Sequence, residues 1–302
     1  MSSSLISIGI TCFNAQDTIG RALDSALEQD WPNTEIVVVD DCSSDDSISV
    51  IESYMEAHDN IRLIRHEQNR GCPVARNSIL EHARGEFIAF FDDDDWSYPS
   101  RLTKQYNRIQ EYGHSSEIVF CYCNWEVALE EKPDEIIQII EGIGRHPAEP
   151  HGEMVAKYLL LGLIVSLPGE IFPDYTWGGL GTGTLMASRE AFERVGMFDT
   201  SMRRHQDWDL AIRAGLLGAH FISVDEILMH QHRTGGVDKS VKKITAVRLY
   251  LIKKYKEFFV ELGLWRYARI MAYAGAHEFV GNKWRFKFYR SLAKRILHLS
   301  KK

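Results

Sequence analysis

Over the first 125 residues two hydrophobic periods alternate along the chain. The runs SLISIGI (4–10), TEIVVVD (34–40), NIRLIR (60–65), EFIAFF (86–91) and EIVFCYC (117–123) are short and rich in β-branched or aromatic residues, which predicts strands. Between them lie DTIGRALDSALEQ, SDDSISVIESYMEAH, PVARNSILEHA and PSRLTKQYNRIQEYG. Apolar residues recur there near i, i+3 and i+4, and Ser, Asp or Pro stands at the starts, as helix N-termini favour. This βαβα order predicts an α/β fold, with a mostly parallel central sheet, helices on both faces and ligands beyond the carboxyl ends of the strands. Those ends carry TCFN, DDCSS and DDDD.

From about 126 to 180 the periodicity loosens into Pro, Gly and charged residues, ending in the glycine-rich WGGLGTGT (177–184), and this region is expected to form loops. SREAFERVGMFD (188–199) predicts a capped helix ending at Gly196, and HQDWDLAIRAGLLG (205–218) another closed by Gly218. HFISVDEILMH (220–230) reads as a further strand. After Lys242 the pattern is helical, with Lys and Arg interleaved with Trp, Phe and Tyr. We therefore divide the chain into a body, 1–241, with halves 1–125 and 126–241, and a tail, 242–302.

Charge reinforces that division. Residues 242–302 hold 16 Lys/Arg against 3 Asp/Glu, a net +13, so the whole-chain −7 leaves −20 on residues 1–241. A body so acidic argues against nucleic acid as partner. The tail, basic and amphipathic, suits an anionic membrane surface. No apolar run approaches the 18 or so residues of a membrane span, and MSSSLISIGITCFN lacks a basic n-region and a small-residue cleavage site. The expected location is cytoplasmic, peripheral at the inner face of the cell membrane. Five cysteines without a CxxC pair read as reduced thiols.

The run Asp92–Asp95 poses a problem of charge. Neighbouring carboxylates about 5 Å apart repel by roughly 1 kcal/mol in water and several-fold more where water is excluded. With no GxGxxG after the first strand and no GxxxxGK[ST], a bound nucleotide needs another grip on its phosphates. A divalent cation shared between carboxylate and diphosphate oxygens would provide it and relieve the repulsion, and Mn2+ or Mg2+ suits an all-oxygen site.

The segments ISIGITCFN, IVVVDDCSSDDS, NRGCPVARN, GEFIAFFDDDDWSYPSRL, GTGTLMASREAFERVGMFD and QDWDLAIRA, taken in this order, resemble glycosyltransferase family 2, enzymes of GT-A fold that transfer sugar from a nucleotide diphosphate. The resemblance covers roughly residues 5–235 and makes 1–125 the nucleotide-sugar half and 126–241 the acceptor half of a GT-A domain. It implies that Thr11 and Asn14 sit near the nucleobase or ribose and that Asp41 accepts a hydrogen bond from a uracil imide. Asp40 would instead hold its loop. Arg70, Arg76 and Asn77 correspond to the segment that approaches base and phosphates, or else serve only ion pairing within the site's edge. Asp94 corresponds to the metal ligand, with Asp92 as ribose contact or second ligand and Asp93 also on the donor side; four successive aspartates leave their individual roles open. Asp207 corresponds to the catalytic base, preceded by Gln206 where the family has glutamate. His232 matches a region where relatives place a His or Arg near the diphosphate, and it is a further candidate ligand. Trp177, Gly181 and Thr182 form the expected acceptor wall.

The resemblance thus implies an inverting, metal-dependent hexosyl- or N-acetylhexosaminyltransferase. Its expected donor is a UDP-sugar and its acceptor a saccharide hydroxyl, lipid-linked, in surface polysaccharide synthesis. Two other readings stay open: a polyprenyl-phosphate sugar synthase, which needs no strong base, and a non-enzymatic nucleotide- or nucleic-acid-binding module.

Overall fold

The computed structural model describes residues 3–113, 117–145, 149–163, 177–233 and 240–300. It begins with β1 (Ile6–Cys12), α1 (Ile19–Leu27), β2 (Thr34–Asp40), α2 (Ser47–Ala57), β3 (Ile61–Arg65), α3 (Cys72–His82) and β4 (Phe87–Asp92). These four strands run parallel in the order β3-β2-β1-β4, with Ile8 of β1 flanked by Ile36 and Ala89. Alternate residues face opposite sides of a strand. Ile6, Ile8 and Ile10 therefore share one core with Ile36, Val38, Phe87, Ala89 and Phe91, closed by Ile19 and Leu23 of α1 and Ile51 of α2. On the other face Gly9 lies under Ile79 of α3, and a Cβ at Gly9 would come within 2.4 Å of that side chain. The missing side chain is what lets the helix approach the sheet.

Beyond β4 the strands are not simply parallel. β5 (Trp96–Ser97) and α4 (Arg101–Tyr112) are followed by a hairpin of β6 (Val119–Leu129), whose first half was expected as a strand, and β7 (Lys132–Ile140), which lies where loops were expected. β7 escapes sequence pattern because it buries neither face: Lys132 to Ile139 are all exposed, and an edge strand carrying Pro133 and three charges shows no alternation. The short β8 (Met186–Ser188) inserts antiparallel between β4 and β6, and β9 (His220–Arg233) runs parallel to β6 and antiparallel to β5. The α/β class and the GT-A architecture hold, with a sheet parallel in its first half and mixed in its second. The stretch 164–176 of the expected acceptor loops lies outside the described residues.

Two helices lead into and along the site. α6 (Arg189–Val195) is capped by Ser188 Oγ, which accepts the Ala191 N–H at 3.1 Å, and ends at left-handed Gly196. α7 (Gln206–Leu216) starts after His205, which itself has positive φ.

By internal contact the chain divides into two compact units. One comprises 1–153 with 176–235, and the other 154–175 with 236–302. The second contains most of α5 (Glu153–Gly162), then α8 (Val241–Lys254), α9 (Lys256–Glu261), α10 (Trp265–Phe279) and α11 (Lys283–Ser300). Within it α10 packs on both α8 and α11. Ala268, Ala272 and Ala276 repeat on its buried side at the spacing that lets helices approach closely.

Candidate active site

The carboxyl ends of β1, β2 and β4 meet around a cavity of about 300 Å³ lined by Thr11, Phe13, Asp41, Asp92, Asp93 and Asp94, among others. Asp41 is 3% exposed; its Oδ1 accepts the Arg70 backbone N–H at 2.9 Å and its Oδ2 the Gly71 N–H at 2.7 Å. Thr11 lines the same cavity. Asn14 is occupied in the turn, its Oδ1 accepting the Ser44 N–H at 2.8 Å. Asp40 likewise holds its loop, accepting the Ser43 N–H at 3.1 Å. Arg70 contributes its backbone to Asp41, while its side chain is exposed.

The four aspartates turn out to have four different settings. Asp92 accepts from Arg76 Nη2 at 3.1 Å, and Asp93 accepts the Phe13 N–H at 3.0 Å. Asp94 opens on the cavity while its carbonyl is gripped by Arg21. Asp95 is 4% exposed and accepts the His232 N–H at 2.9 Å, which ties the run to β9. Burial, and then the neighbouring carboxylates, push Asp93 up to about 7 and Asp94 up to about 6; Asp95 is raised well above the carboxylate range for the same reasons. Much of the repulsion is met within the chain. Arg21 and Arg76 touch the run, and Arg101, fully buried beneath it, donates to Phe90 O, Ser97 Oγ and Gln105 Oε1 at 3.0, 2.8 and 3.1 Å. The roles of Arg21 and Arg101 were not visible in the motif, because both depend on where the helices dock.

The remaining charge fits a divalent cation. Asp92 and Asp94 offer oxygen to one cavity, and the raised carboxyls of Asp93 and Asp94 mark an excess of negative charge there. Among the described residues no three His, Cys, Asp or Glu side chains converge as a metal cage. His232 is 7% exposed, its Nδ1 has no partner among the described residues, and burial with the Arg21 charge lowers it to about 4, so the ring is neutral.

A second cavity of about 300 Å³ shares Asp92 with the first and is lined also by Arg76, Trp125, Leu180, Gly181, Thr182, Gly183, Gln206, Asp207, Met229 and Gln231. Asp207, in the first turn of α7, accepts its neighbour Trp208 N–H on Oδ1 at 2.8 Å, leaving Oδ2 for an incoming group. Asp209 is fully buried against Arg213 Nε at 2.8 Å, and that guanidinium holds the carbonyls of Val195 and Met197. Asn77 clamps the same region: its amide exchanges two 2.9 Å hydrogen bonds with the Phe198 backbone. One N–H and one lone pair of the amide are thus committed to the chain. Gly181 and Thr182 line the cavity, whereas Trp177 is buried outside it, and the indole in the wall belongs to Trp125. Phe13, Trp125 and Gln231 are site residues that the motifs did not single out; for Phe13 its place inside TCFN was the available signal.

Gly183 sits against the junction of the two cavities. A Cβ there would lie 2.5 Å from Asp92 Oδ2, whose partner oxygen is held by Arg76. Gly183→Ala is expected to push Asp92 off Arg76 and to lower stability by about 1–3 kcal/mol, as overpacking does. Thermal unfolding tests this directly, and an unshifted midpoint would show that Asp92 has room to move.

A family model described as Glycosyl transferase family 2 matches residues 7–153. Residues 7–153 thus form a glycosyltransferase family 2 domain. The family 2 match covers β1 to β7, and with them both cavities' donor-side aspartates. The chain is 30% identical over 154 residues to the Escherichia coli UDP-Glc:alpha-D-GlcNAc-diphosphoundecaprenol beta-1,3-glucosyltransferase WfaP, covering 51% of this chain and 56% of the relative. It spans 42% to 58% of the length of the first four curated relatives it matches. Among solved structures it resembles S. aureus TarS 1-349 in complex with UDP-GlcNAc, at TM-score 0.56 and 17% identity over 90% of this chain and 81% of that one. The mannosyltransferase PcManGT from Pyrobaculum calidifontis, in complex with GDP-Man and Mn2+, aligns at TM-score 0.55 and 17% identity over 97% and 84%. At such identity these two support the fold of the family 2 domain.

Proposed function

We propose that this protein is an inverting glycosyltransferase that moves a sugar from a UDP-sugar to a saccharide hydroxyl. The observation that carries the reading is that two cavities meet at Asp92, one lined by Asp41 and the aspartates Asp92 to Asp94, the other by Asp207 and by Arg76, which pairs with Asp92. Thr11 and Asp41 receive the nucleoside, and Arg76 and the aspartate run border its diphosphate. Asp94, with Asp92 as second candidate, holds the Mn2+ or Mg2+, which when bound supplies Lewis-acid charge for the departing diphosphate.

Asp207 Oδ2 accepts the proton of the acceptor hydroxyl as its oxygen attacks the anomeric carbon from the face opposite the diphosphate. The bond to the leaving phosphate oxygen breaks in the same displacement, so configuration inverts and no sugar-enzyme bond forms. Arg76 stands between Asp92 and Asp207 and is charged and buried, which couples the donor and acceptor sides. Trp125 offers an indole edge to the acceptor cavity.

The test is thermal stabilisation by a panel of nucleotides and nucleotide sugars with and without Mn2+ or Mg2+. UDP and a UDP-sugar are expected to stabilise the protein, more strongly with metal, by the linkage of ligand to folding. No response to any uridine nucleotide in the presence of metal would overturn the reading.

The acceptor is proposed to be lipid-linked, in surface polysaccharide synthesis; the WfaP description names a diphosphoundecaprenol-linked acceptor. No helix among the described residues is long and apolar enough to cross a membrane. α11, however, exposes Trp284 (74%), Phe288 (54%) and Leu292 (39%) at four-residue spacing, beside exposed Lys283, Arg285, Lys287 and Lys294. A helix of that make-up lies in a lipid interface with its basic flanks on anionic headgroups. Replacing Trp284 and Phe288 by Ser is expected to weaken binding to phosphatidylglycerol vesicles by roughly tenfold or more, from the apolar area withdrawn. Equal co-sedimentation of the full-length variant and wild type would rule the membrane role out.

A further inference from the structure

His66 takes no part in the displacement just described, yet it is bonded directly to Asp41, which lines the donor cavity. It follows β3, and its backbone N–H donates to Asp40 O at 2.9 Å. Its ring Nδ1 lies 2.7 Å from Asp41 Oδ1 and its Nε2 2.9 Å from Ser78 Oγ on α3. Both side chains of the His66–Asp41 pair are almost wholly withdrawn from solvent, at 7% and 5% exposure. An ionised carboxylate only accepts, so Nδ1 is the donor to Asp41, and the Ser78 hydroxyl, which can donate or accept, holds the ring's far nitrogen in place.

A carboxylate accepts at about four lone-pair positions. In Asp41 the chain fills three of them: His66 Nδ1 and the Arg70 N–H on Oδ1, and the Gly71 N–H on Oδ2. One acceptor position is left, on Oδ2. A uracil ring presents a single imide N–H and needs one such position. A guanine edge presents adjacent ring N–H and amino donors, which a carboxylate satisfies only by offering both oxygens.

We propose that His66 sets the nucleobase specificity of the donor cavity: by saturating Asp41 Oδ1 it leaves room for uracil and denies guanine its second acceptor. His66 is a positioning residue, acting on the base through Asp41, and the proposal rests on the reading of Asp41 as the nucleobase partner. A site with an unmet donor discriminates strongly, because the guanine amino group would be buried without a partner.

Titration calorimetry on the full-length chain with Mn2+ present, using UDP and GDP as probes, tests it. Wild type is expected to prefer UDP. His66→Leu frees Oδ1 and is expected to reduce the UDP-over-GDP preference by about tenfold or more. His66→Asn, whose amide nitrogen falls near the position of Nδ1, is expected to retain the preference. Ser78→Ala, which only unties the ring, should lower it in the same direction, and it decides the matter if His66→Leu does not fold. A preference ratio unchanged to within about twofold in the Leu variant, or parallel loss of both nucleotides, overturns the proposal. Wild type without UDP affinity overturns the uridine reading itself, whereas an unchanged ratio with intact UDP binding overturns the role of His66 alone.

Discussion

Asp207→Asn is expected to lower sugar transfer to a hydroxyl acceptor by about 10²- to 10⁴-fold, the range general-base catalysis supplies. The variant keeps the side chain's shape and can still accept the Trp208 N–H that Asp207 Oδ1 accepts at 2.8 Å. What it loses is the second, basic oxygen open to the acceptor cavity. UDP binding with metal should therefore be unchanged, since Asp41 and the aspartate run lie in the adjoining cavity. Steady-state transfer assays beside nucleotide titration separate the two. Turnover within about tenfold of wild type would point to an acceptor that needs no base, such as a lipid phosphate.

The largest effect on folding is expected at Arg101. Its side chain is fully buried, and its guanidinium makes three hydrogen bonds to neutral acceptors while lying 4.5 Å from the centre of the Phe91 ring. Burial pulls its ordinary pKa down and nearby Asp92 and Asp95 oppose that pull. Arg101→Ala combines two costs: a cavity beneath β4, and the orphaning of Phe90 O, Ser97 Oγ and Gln105 Oε1. Together these are expected to destabilise the protein by roughly 3–5 kcal/mol, net of the relief from no longer burying a charge. Denaturant unfolding monitored by tryptophan fluorescence measures it. A loss below about 1 kcal/mol would mean that the desolvation of the charge cancels its hydrogen bonds.

Both residues stand in family motifs, but only one could be assigned from its motif. The place of Asp207, the base proposed above, is legible from QDWD and a resemblance, because a carboxylate at a helix start is a local arrangement. The counter-charge under the aspartates is not local. The repulsion in DDDD was legible and a cation was the evident remedy, yet Arg21, Arg76 and Arg101 come from three different helices. The same limit applies to the acceptor wall. Glycine spacing marked 177–184, but the indole that lines the cavity is Trp125 of β6, while Trp177 is buried and does not line it. Asn77 reads from its motif as a donor contact, and only the packing of α3 against the segment before α7 reveals its exchange with Phe198.

By itself the sequence determined the elements whose burial is regular: β1 to β4 with their helices, the capped α6, and the carboxyl edge where the chemistry must lie. In each, the period of apolar residues records which face is covered, and that record is local in the chain. The tertiary structure decided what has no local record. β5 and β8 are two and three residues long, too short for any period. β7 buries no face and so leaves no pattern. The distinct settings of Asp92, Asp93, Asp94 and Asp95 arise from Arg76, the Phe13 amide, the cavity and His232, partners brought from elsewhere in the chain. Identical residues in a row acquire different chemistry only when the fold surrounds each with different charges and donors.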